Sequence, residues 1–91
     1  MSKSGESLEQ LNALLELASR GDLAAFEEFY SLSANWALHL VRQLADEAQV
    51  EALTTQLYVM AWMEVASYDR SRMTATEWLT GLARRLERPP A

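Results

Sequence analysis

Leu8, Leu11, Leu14, Leu15 and Ala18 recur at spacings of one, three and four, the repeat that places side chains on one face of an α-helix. Ser7-Leu8-Glu9-Gln10 has the spacing of a capping box, with a hydroxyl for the free amide three residues on and a Gln reaching back. Arg20 and Gly21 close this predicted helix, since glycine takes the left-handed stop conformation without a Cβ penalty. Asp22 then offers an N-cap to "LAAFEEFYSLSANWALHLVRQL". Phe26, Phe29, Tyr30, Ala37, Leu40, Val41 and Leu44 form the buried stripe of this second helix, which leaves room for a break near Ser31 to Asn35.

Asp46-Glu47-Ala48-Gln49 repeats the capping pattern and opens a third helix, with Val50, Leu53, Leu57, Tyr58, Ala61, Trp62 and Val65 on its inner face. "SYDRSRM" (Ser67 to Met73) interrupts the periodicity and reads as a polar loop. Thr74-Ala75-Thr76-Glu77 is a further capping box, followed at helical spacing by Trp78, Leu79, Leu82, Ala83 and Leu86. Pro89 and Pro90 end the run, because proline lacks the amide donor and clashes with the preceding turn. No segment alternates with a period of two. The pattern therefore predicts an all-α fold, a compact bundle of about four helices, with residues 1–6 a flexible N-terminus, 7–88 the domain and 89–91 a tail.

One stretch of the third helix departs from the amphipathic rule. "ALTTQLYVMAWM" (Ala52 to Met63) carries no charged residue. It is too short and too polar at Thr54, Thr55 and Gln56 to cross a bilayer, which takes about 20 apolar residues, so no membrane partner is expected. A surface helix normally keeps a charged stripe toward water, and one that is apolar on both sides needs a cover.

Composition narrows the function classes. A chain of 91 residues, 49% hydrophobic, is one small packed domain rather than a disordered segment. It has no cysteine, hence no disulfide framework and no thiolate metal site, and its start, "MSKSGESLEQL", has no basic segment leading into an apolar run. A cytoplasmic location is the expectation. The net charge of −5 argues against broad attraction to duplex DNA. Positive charge is nevertheless concentrated late, at Arg70, Arg72, Arg84, Arg85 and Arg88. His39 stands alone on a helix, where a structural or solvent-facing role is the simpler reading. Gly5, Gly21 and Gly81 are scattered and make no phosphate cradle. Glu27-Glu28 and Asp46-Glu47 are adjacent pairs that point to different helix faces. We expect neither an enzyme nor a cofactor.

Taken in order, these residues resemble the second conserved region of the extracytoplasmic-function group of bacterial sigma factors, over residues 8 to 86. "LLELASRGDLAAFEEFYSL" is similar to the group's opening helices: an apolar helix, Gly-Asp, Ala-Phe and an aromatic. "ADEAQVEALTTQLYVMAWMEVASYD" and "TEWLTGLARR" follow at matching spacing, with Tyr68-Asp69, a short loop and Glu77-Trp78-Leu79 in the order that the family shows. The resemblance implies a helical domain whose third helix docks on the clamp coiled coil of core RNA polymerase. It implies that the next loop and helix capture a flipped base of the promoter −10 single strand, a task suited to apolar pockets with arginines for the backbone. Carried over, Arg70, Ser71, Arg72, Met73 and Thr74 fall at the base-capture loop, and Arg84 and Arg85 on the strand-facing helix. Trp78 reads as core. For the arginines, a solvated face or helix C-terminal charge competes with DNA contact.

The departures from the family are concentrated on the polymerase face. Members usually carry Asp where Ala52 stands, a Gln-Glu pair at Thr55-Gln56, and basic residues near Met63 and Glu64. Here the face expected to meet polymerase or another partner is Ala52, Thr55, Gln56, Val59, Met60 and Met63. Pro89-Pro90 is expected to stop the fourth helix earlier than in the family, and a second DNA-reading domain is not among these 91 residues, so the expectation is either a fragment of a longer chain or a stand-alone relic of the fold. The competing reading is a degenerate sigma-like interaction module, which binds an anti-sigma-like regulator or forms a homodimer without recognising a promoter.

Overall fold

A three-residue link sets the first corner of the fold. The computed structural model describes the backbone of residues 3–87 and the side chains of residues 8–86. Helix α1 (Lys3–Ser19) ends where Gly21 takes φ +98. There the Gly21 amide donates to the Ala18 carbonyl (2.9 Å) and the Asp22 amide to the Leu17 carbonyl (3.3 Å), the paired bonds of a glycine-terminated helix. Asp22 at once opens α2 (Leu23–Leu44), its Oδ1 accepting from the Ala25 amide at 3.0 Å. The expected stop and cap are both present.

Helix α3 (Val50–Glu64) is preceded by a 3₁₀ turn at Glu47–Gln49 and followed by another at Val65–Ser67, and α4 runs Ala75–Glu87. Helices α1 and α3 each pack against both α2 and α4, and α2 also meets α4. This is the all-α, four-helix architecture that the periodicity predicts. Each helix supplies one of the largest fully buried apolar side chains: Leu15, Phe29, Leu57 and Leu79. Trp78 joins that core and meets Tyr68 edge-on, with ring centroids 5.8 Å apart.

Two polar cross-links fix how the helices sit. Ser33 is buried in mid-α2, where its hydroxyl bonds the Phe29 carbonyl (2.7 Å) and the Tyr58 hydroxyl of α3 (2.6 Å). The break for which the pattern left room near Ser31 to Asn35 is absent, because this serine satisfies itself inside the helix. Asn12, buried on α1, accepts from the Ala75 amide at the start of α4 at 2.7 Å. Asn12→Ala would leave that amide without its partner. A loss of about 1–3 kcal/mol is expected, the usual cost of an unsatisfied buried donor; urea denaturation would show it as a lower midpoint.

The Tyr58 phenol titrates at about 12, pushed up mainly by burial, with the Ser33 hydrogen bond acting against the shift. The unfolded phenol ionises near 10, so its contribution to stability is complete below pH 10 and is lost as pH rises toward 12. Alkaline unfolding over that window should therefore be less steep in Tyr58→Phe, as followed by circular dichroism.

Further expectations need correction. Helix α1 begins at Lys3, so the Ser7 to Gln10 box lies within the helix rather than at its start. Leu8, placed on the buried stripe, is 47% exposed, and Tyr30 and Trp62 are partly exposed at the stripe edges. Their rings instead lean on the core: Tyr30 meets Tyr58 edge-on at 4.6 Å, and Trp62 lies 5.0 Å from Phe26. Asp46 makes no side-chain cap, and a 3₁₀ turn stands where a helix start was expected. The Pro89-Pro90 stop and the tail lie outside the described residues.

Candidate partner and nucleic-acid surfaces

Helix α3 is apolar on two sides, and the structure separates them. Val50, Leu57, Tyr58 and Ala61 face inward and are buried. Ala52, Thr55, Gln56, Val59 and Met63 follow one another at helical spacing on the outside and are exposed, Met63 by 76%. Met60 is different: it is half-buried and packs on the core. Thr54, also half-buried, donates to the Val50 carbonyl at 2.7 Å and so needs no other partner. Thr55, Gln56, Val59 and Met63 of this stripe line an open groove of about 450 Å³ that also includes Met60 and Glu64. A second hollow, about 330 Å³, continues over Val59 and Met63 to Trp62 and Tyr30. The outer side of the uncharged stretch is thus exposed, with Val59, Trp62 and Met63 as its large apolar side chains, the kind of surface that marks contact sites.

The segment from Tyr68 to Thr74 is held closed by its own bonds. Asp69 Oδ1 accepts from the Ser71 hydroxyl (2.7 Å) and amide (3.0 Å), which holds the carboxyl below its ordinary range. The Asp69 carbonyl accepts from the amides of Arg72 and Met73. Arg70 turns back onto α1, bonding Glu16 Oε1 at 3.2 Å and Glu9 Oε1 at 2.8 Å. Thr74 and Glu77 form the expected capping box: the Thr74 amide donates to Glu77 Oε1 (2.9 Å), and the Glu77 amide to Thr74 Oγ1 (3.2 Å). The Tyr68 phenol is buried without a hydrogen-bond partner among the described residues, and burial raises its pKa.

On α4 the two arginines differ. Arg85 makes a bidentate pair with Glu64 of α3, at 2.8 and 3.0 Å, and these hydrogen bonds favour its charged form. Arg84 borders a third groove, about 620 Å³, between α1, α2 and α4. Of the expected strand-contacting residues, Arg72, Met73 and Arg84 are thus exposed without a described polar side-chain bond, whereas Arg70, Ser71, Thr74 and Arg85 are engaged within the protein. The groove beside Arg84 escaped the sequence reading. Its walls include Leu8, Leu32 and Trp36, and the available signal was an aromatic on α2 that no buried stripe absorbed.

Among the described residues, no group of three or more His, Cys, Asp or Glu could hold a metal ion, and no helix is long and apolar enough to cross a membrane.

No protein-family model matches the chain. Curated relatives do. It is 33% identical over 78 residues to the ECF RNA polymerase sigma factor SigK of Mycobacterium ulcerans, covering 85% of this chain and 42% of the relative. For the proteins of the same name from Mycobacterium bovis and Mycolicibacterium vanbaalenii the identities are 34% over 76 residues and 35% over 77. Those alignments cover 82% and 84% of this chain, and 41% and 39% of the relatives. The chain therefore spans well under half the length of these relatives.

Proposed function

We propose that this chain, a divergent relative of the ECF RNA polymerase sigma factors over four fifths of its length, is a transcription-initiation module that docks on core RNA polymerase and engages the promoter −10 strand. The observation that carries the reading is the outer stripe of α3. In the family that helix grips the clamp coiled coil, and here Ala52, Thr55, Gln56, Val59 and Met63 stand exposed on it, with Met60 at its edge. An apolar docking face of this kind gains from burial where the usual family face relies on charge.

The strand would lie along the segment from Arg70 to Thr74 and along α4, near Arg84 and Arg85. Arg70 and Arg85 are already paired with glutamates. Exposed pairs of this type contribute little net stability, so phosphates could replace the carboxylates at small cost. A cytoplasmic location goes with this role.

A second reading is favoured by those same pairs. With four of the seven strand residues engaged in the protein and an apolar α3 face exposed, the domain suits a protein partner, an anti-sigma-like regulator or another copy, without promoter recognition. A pull-down with purified bacterial core polymerase tests the first reading, with the second region of a typical sigma factor as control. Retention supports docking; loss with the control retained overturns it. Salt-sensitive, saturable binding of single-stranded −10 oligonucleotides in fluorescence anisotropy would separate promoter recognition from polymerase docking alone.

A further inference from the structure

The groove between α1, α2 and α4 has a wall whose charges are arranged antisymmetrically. Along α4, Glu77 stands three residues before Thr80, and Arg84 three residues after Gly81. All four residues line the groove. The opposite walls are apolar, with Leu8, Leu32 and Trp36 each more than a third exposed. Gly81 lies inside a helix, where glycine is unfavourable relative to alanine. A Cβ at Gly81 would meet nothing within 4 Å, so no packing contact among the described residues accounts for the missing side chain.

We propose that the occupant of this groove is a second copy of the chain, docked about a two-fold axis that passes α4 between Thr80 and Gly81. An antiparallel α4 pair centred there brings Glu77 opposite the second copy's Arg84, and Arg84 opposite its Glu77. A two-fold interface requires this reciprocity, since each contact occurs twice. The small residues at the axis allow close approach of the backbones. Each α4 enters the other copy's groove and covers Leu8, Leu32 and Trp36. Glu77 Oε1 accepts from the Thr74 amide, and among the described residues its second oxygen has no partner, which leaves it for the arginine. The net charge of −5 on each copy opposes association, so the dimer is weak and concentration-dependent. It also covers Arg84, which makes dimerisation and strand binding along α4 exclusive. This surface is distinct from the α3 stripe, and the inference stands whether or not that stripe binds polymerase.

Sedimentation equilibrium of the full chain tests it by charge exchange. The unmodified protein should approach twice its 10.3 kDa mass as concentration rises. Arg84→Glu places like charges opposite each other twice, as does Glu77→Lys, so each variant alone should dimerise about tenfold more weakly or not at all. Mixed together, they restore both opposite-charge contacts and should associate. Circular dichroism on each variant checks folding, which matters for Glu77→Lys because it removes a cap; Arg84→Glu alone retains that cap. A monomer at the highest soluble concentration overturns the proposal. So does a dimer unaffected by Arg84→Glu, or a mixture of folded variants that stays monomeric.

Discussion

Phe29→Ala is expected to remove a large part of the domain's stability. Phe29 is 1% exposed in the first half of α2 and reaches two aromatics: its ring lies 6.0 Å from Phe26 and 6.4 Å from Tyr58. Truncation of a buried Phe to Ala costs about 3–5 kcal/mol through lost transfer energy and the cavity left behind. A small domain holds roughly 5–15 kcal/mol in all. The hole would open beside the Ser33–Tyr58 bond, so α2 and α3 would lose apolar and polar contacts together. Thermal denaturation should show a midpoint lower by about 12 °C or more, since each kcal/mol moves the midpoint of a domain this size by about 4–8 °C. An unchanged midpoint would mean that Phe29 does not centre the core.

The second large effect concerns binding rather than folding. Val59→Glu combined with Met63→Glu should reduce retention on core polymerase by about tenfold or more, the scale expected when a docking face loses its apolar anchors. Both side chains are exposed, by 56% and 76%, so the thermal midpoint should barely move. Met60→Glu is the informative contrast. Met60 packs on the core, and a carboxylate there must be dragged from water, so this variant should lose stability as well as binding. Full retention by the Val59/Met63 variant would remove α3's outer stripe from the polymerase contact.

The parts of the fold legible in the sequence are those that local chemistry decides. Gly21-Asp22 and Thr74–Glu77 complete their caps within a few residues of themselves, and both were readable. The periodic stripes also found the centre of each helix, including Leu15, Leu57 and Leu79. Stripe edges were harder. Leu8, Tyr30 and Trp62 have the right spacing, but which edge is covered depends on the neighbouring helix. Ser33 was misread because its second partner, Tyr58, lies 25 residues away.

The candidate surfaces followed the same division. The exposed stripe of α3 was visible in the uncharged run, with Met60 the exception because its cover comes from other helices. The environment of the arginines was not visible. Arg70 meets glutamates 54 and 61 residues distant, and Arg85 one 21 residues distant, separations over which no sequence period carries information.

The corner at Arg20–Asp22 bears on the order of assembly. A link this short brings α1 and α2 together with little loop-closure entropy. Their hairpin is therefore expected to form early, in the submillisecond regime of local helical contacts. The Asn12–Ala75 contact spans 63 residues and cannot close until the rest of the chain has returned to α1. Substitutions at the corner should thus slow folding, whereas Asn12→Ala should chiefly speed unfolding.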